Sequence, residues 1–114
     1  MTRAWGYRIM DNATAQEVID RFTVLHAQYG SLKDALYELK TQILLDKMFP
    51  LKVLALAQIE YECQGAVSRE TLKMTLAALN KELKQIHRWD NPIERKQYLL
   101  MFRDCLLGKY KEVS

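Results

Sequence analysis

Apolar residues recur three and four positions apart along this chain, and helix starts and stops interrupt them at regular intervals. Val18, Phe22, Leu25 and Tyr29 share one helical face, and Thr14-Ala15-Gln16-Glu17 reads as the capping box that starts that helix. Gly30 supplies a left-handed stop, and Ser31 caps a second helix with Asp34 in its first turn. Leu32, Ala35, Leu36, Leu39 and Ile43 are its expected buried face. Phe49-Pro50 ends it, because a residue before proline is pushed out of helical geometry, and Pro50 opens the third helix.

Residues 51–63 are apolar on all sides, with Val53, Leu54, Leu56, Ile59 and Tyr61, so this helix is expected at the centre. Gly65 closes it and Ser68 caps a fourth, running to about residue 88. Asn91-Pro92-Ile93-Glu94 combines a cap, a proline at the first helical position and an acidic first turn. The fifth helix carries Tyr98, Leu99, Phe102, Leu106 and Leu107; Gly108 is expected to end it, leaving KYKEVS as a polar tail. No alternating run bounded by hairpin turns competes with this reading. The expected fold is all-α: a compact single-domain bundle of about five helices joined by short connections. Residues 1–114 form that one domain, with 1–10 as an arm and 109–114 as the tail.

A chain of 114 residues can bury one sizeable core, and 49% apolar with 27% charged residues argues against disorder. No apolar run is long enough to span a membrane, and the opening MTRAWGYRIMD lacks the continuous apolar stretch of a secretory signal. Cys63 and Cys105 read as two reduced, buried thiols, which fits a cytoplasmic protein. Asn12-Ala13-Thr14 matches a glycosylation acceptor, but nothing else suggests secretion.

The stretch GAVSRETLKMTLAAL, residues 65–79, resembles a turn followed by a DNA-recognition helix. A tight helix-turn-helix places a small residue about four positions before the turn glycine. With Gly65 in that role the position is bulky Tyr61. Sliding by one, so that Val67 is the apolar turn residue, puts Glu62 there and demands an apolar residue at Thr75. Neither register fits well, which disfavours the tight form and leaves a looser, winged-helix-like turn open, though no wing hairpin follows.

The helix itself has two adjoining faces. At 100° per residue, Leu72, Leu76, Leu79, Leu83 and Ile86 form an apolar seam. Beside it Arg69, Lys73, Lys81, Lys84 and Arg88 spread over about 120°, with Asn80 among them and Glu70 interrupting. Residues 1–68 hold seven basic and eight acidic side chains, whereas residues 69–114 hold ten and six, so the positive excess lies in the second part.

The sequence carries no catalytic constellation of familiar spacing. His26, beside the face set by Leu25 and Tyr29, reads as a partly buried structural histidine, and His87 as a cation near a helix C-terminus. Two His and two Cys without local chelating spacing do not read as a zinc site, and four isolated glycines form no phosphate loop. No cofactor, metal or enzymatic activity is expected. Trp5 and Tyr7 in the arm, with Arg3, Arg8 and Ile9, and Trp89 beside Arg88 are the candidate anchors for a partner.

The expectation is therefore a small regulatory or adaptor protein acting by binding another macromolecule. Its first-choice partner is a protein with an acidic surface, met by Arg69, Lys73, Lys81, Lys84, Arg88, Trp89, Trp5 and Tyr7. The alternative is a DNA-binding transcription regulator using residues 68–88 as its recognition helix. Self-association suits a helical chain of this size, and no membrane partner is expected.

Overall fold

A computed structural model describes residues 12–46 and 49–111. The arm residues Trp5 and Tyr7, with Arg3, Arg8 and Ile9, lie outside them. Five α-helices follow in order: α1 (Ala13–Tyr29), α2 (Leu32–Leu45), α3 (Pro50–Gln64), α4 (Arg69–Lys84) and α5 (Pro92–Lys109). A single 3-10 turn, Ile86–Arg88, joins α4 to α5. The architecture is the expected small all-α bundle.

Helix punctuation explains most of the boundaries. Gly30 and Gly65 both adopt the left-handed conformation, φ 70° and 71°, and their N–H groups bond back to His26 O and Tyr61 O. A side chain there would be strained, and glycine is not. Ser31 caps α2 through Asp34 N–H, and Pro50 stands first in α3. The start of α1 differs from expectation. Asn12, not Thr14, is the cap: its Oδ1 accepts from Ala15 N–H at 2.8 Å, and the residue is fully buried. Helix α4 is shorter than expected, because its last turn tightens into the 3-10 segment after Gln85.

Helix α3 is the centre. Leu51, Val53, Leu54, Ala55, Leu56, Ala57, Ile59 and Glu60 are all buried, and α1, α2 and α4 pack around it. Val18 and Leu25 from α1, Leu36, Leu39 and Ile43 from α2, Leu72 and Leu79 from α4, and Leu99, Phe102 and Leu106 from α5 join it in one cluster. Each fully buried leucine of this kind contributes on the order of 1.5–3 kcal/mol by leaving water. On the expected apolar faces, Tyr29 and Leu32 at the α1–α2 corner and Leu107 near the end of α5 are instead exposed.

Two further departures concern the chain's second part. Helix α5 runs through Gly108 to Lys109 rather than stopping at the glycine. Beyond it, Tyr110–Lys111 (β2) pairs in parallel with Val67–Ser68 (β1), with Val67 opposite Tyr110 and Ser68 opposite Lys111. Part of the expected polar tail therefore fastens onto the turn before α4.

Candidate macromolecule-binding face

The entry to α4 is built around one hydroxyl. Ser68 Oγ accepts from Thr71 N–H at 3.2 Å and from Lys40 Nζ at 3.3 Å, and donates to Thr71 Oγ1 at 3.0 Å. Ser68 N–H donates in turn to Oε1 of Glu60 at 3.0 Å. Glu60 comes from α3 and is almost wholly buried. A helix N-terminus carries free N–H groups and partial positive charge, so a capping hydroxyl and a buried carboxylate both suit it. Glu70 adds an acidic side chain to the first turn, and Lys81 and Lys84 place cations in the last.

Beyond its cap, α4 lies between α3 and α5 and buries a broad arc: Thr71, Leu72, Met74, Thr75, Ala78, Leu79 and Glu82. This arc is rotated from the expected seam. Leu76, Leu83 and Ile86 are only partly buried, at its margin. Two packing neighbours, rather than one, draw polar positions inward. Thr75 is fully buried because its hydroxyl donates to Thr71 O at 2.7 Å, within its own helix. Glu82 pairs with Arg95 of α5 at 3.3 Å.

The opposite arc faces solvent. Arg69, Lys73, Lys81, Lys84 and Arg88 are all exposed, as is Asn80. Arg88 Nη1 donates to Gln85 Oε1 at 3.1 Å. Among the described residues, Arg69, Lys73, Lys81 and Lys84 make no ion pair. Helix α4 thus offers four uncommitted cations over 16 residues, roughly 24 Å at 1.5 Å per residue.

Trp89 is placed differently from expectation. It is half-buried rather than an open anchor, and the Arg95 guanidinium lies 3.9 Å from its ring centroid. That face of the indole is occupied from within the protein by a cation–π contact. Arg95 itself is fully buried, and the sequence reading missed it. Its signal was present: Arg95, Leu99, Phe102 and Leu106 follow helical spacing, so the arginine shares the buried face of α5. Glu60 likewise falls at helical spacing from Val53, Leu56 and Ala57, on a buried part of α3.

Buried Thr75, its hydroxyl satisfied locally, removes the helix-turn-helix objection at that position. Glu62 is exposed, however, so the position that should meet the second helix points to solvent. In the other register Tyr61 is half-buried, and its hydroxyl accepts from Cys105 Sγ of α5 at 3.4 Å. The tight form of the motif is not built.

The remaining candidates are also located. His26 is exposed, not partly buried, and stacks on Phe22 with ring centroids 6.1 Å apart. His87 is exposed on the 3-10 turn. Cys63 and Cys105 are both free and exposed, which corrects their reading as buried thiols. Partial burial of the sulfur, and then the charge of Glu62, push the Cys63 thiol above its ordinary pKa. Tyr61 is also raised, first by its hydrogen bond with Cys105.

Between α1 and α2 lies an open cleft of about 100 Å³, lined by Val18, Leu39 and Ile43 among others. Its polar rim is largely paired to itself: Arg21 Nε donates to Gln42 Oε1 at 3.0 Å, and Lys52 pairs with Asp46. Among the described residues, no group of three or more His, Cys, Asp or Glu is arranged to hold a metal ion. No helix among them is long and apolar enough to cross a membrane. No protein-family model, curated protein or solved structure matches the chain.

Proposed function

We propose that this is a non-enzymatic binding protein whose α4 outer face docks on the phosphate backbone of a nucleic-acid duplex. The observation that carries the reading is the arc of Arg69, Lys73, Lys81 and Lys84, exposed and, among the described residues, in no ion pair. A phosphate backbone is recognised largely by such charges, through release of condensed counterions. A protein partner would be anchored by open aromatic side chains beside the cations. One face of Trp89 is taken by the Arg95 guanidinium. The indole face that the guanidinium covers is not open to base stacking, and the spaced cations of α4 suit phosphates, so a duplex is the form we infer. With Glu62 exposed and the tight helix-turn-helix absent, the docking reads backbone rather than sequence.

An acidic protein surface is the second reading. Its support is the set of exposed apolar side chains elsewhere, Tyr37 and Leu45 on α2 foremost, which are 70% and 81% exposed.

The test is a titration against random-sequence duplex DNA at low and moderate salt, with Lys73→Glu/Lys84→Glu alongside. The expected result is salt-sensitive binding that falls at least tenfold in the double variant, with a log–log salt slope shallower by about two. Absence of duplex binding at low salt overturns the reading and leaves the acidic-protein partner to be sought.

A further inference from the structure

We draw no further inference here: the strongest candidate, the solvent-facing stripe of α5 formed by Ile93, Met101 and Leu107, carries nothing because nothing in the structure shows what covers it, and an antiparallel second copy would set Lys96 beside Arg103.

Discussion

Arg95 is clasped between two residues of the preceding segment: its guanidinium sits 3.9 Å from the ring centroid of Trp89, and its Nη2 donates to Glu82 Oε1 at 3.3 Å. The arginine is fully buried and Glu82 nearly so. This contact joins α4, the 3-10 turn and α5 at one point. Removing one partner of a buried ion pair leaves the other charge uncompensated, which costs about 3–5 kcal/mol. Arg95→Met is therefore expected to lower stability by that amount in chemical denaturation. Glu82→Leu/Arg95→Met, which removes both charges, is expected to recover most of it. A loss below about 1 kcal/mol for Arg95→Met would show that the pair does not hold the two helices together.

The cap of α4 makes a different prediction. Ser68→Ala removes the acceptor for Thr71 N–H and for Lys40, and should cost about 1–2 kcal/mol. At most helix starts aspartate would replace serine without loss. Here Glu60 Oε1 already lies 3.0 Å from Ser68 N, so a second carboxylate meets a like charge. Ser68→Asp should therefore melt below the parent protein at neutral pH. Melting at or above the parent temperature would mean that Lys40 neutralises both carboxylates.

Thr75 tests how α4 tolerates polarity inside. Among the described residues its hydroxyl bonds within its own helix, to Thr71 O. Such back-bonding adds little to a helix, and Thr75→Val keeps the volume. Its stability is expected to stay within about 1 kcal/mol of the parent. A larger loss, measured by the denaturation midpoint at unchanged slope, would reveal a partner for this hydroxyl outside the helix.

Both thiols should react with a thiol reagent in the folded protein, since both are exposed. Only the thiolate attacks, and the Cys63 pKa is raised by partial burial and by Glu62. A raised pKa keeps the thiol protonated to higher pH, so alkylation of Cys63 should accelerate only above the ordinary thiol range. Glu62→Gln should move that profile toward lower pH. Peptide-resolved alkylation rates across pH check both statements, and an unchanged profile in the variant would remove Glu62 as a cause.

The helices were legible because their boundaries are written in local chemistry. Gly30, Gly65, Ser31 and Ser68 each act through their own backbone or the next turn, and all perform as read; Pro50 opens α3 as read, but α2 ends before it, at Leu45. The start of α1 was misplaced because Asn12 and Thr14 are both good caps, and only tertiary packing buries the asparagine. The buried arc of α4 was misjudged because apolarity ranks Leu76 and Leu83 above Thr71, Thr75 and Glu82. Burial there depends on two flanking helices and on partners distant in sequence. The exposure of Arg69, Lys73, Lys81 and Lys84 was readable, since unpaired charges stay in water. The covering of Trp89 was not, because its partner lies across a turn on the next helix. The exposure of the two cysteines has no local signature at all.

The parallel pairing of Val67–Ser68 with Tyr110–Lys111 gives the chain a latch. Most of the helix packing joins elements adjacent in sequence, and such contacts close short loops quickly. The latch must wait until α4, the 3-10 turn and α5 are all in place, so it is expected to form late and to release early. It fastens the residues that open the cationic helix, Val67 and Ser68, to the segment where the last helix ends. Amide exchange at Val67 and Tyr110 would then time the opening of that whole second half, and a chain cut short before Tyr110 would keep its helices while loosening the start of α4.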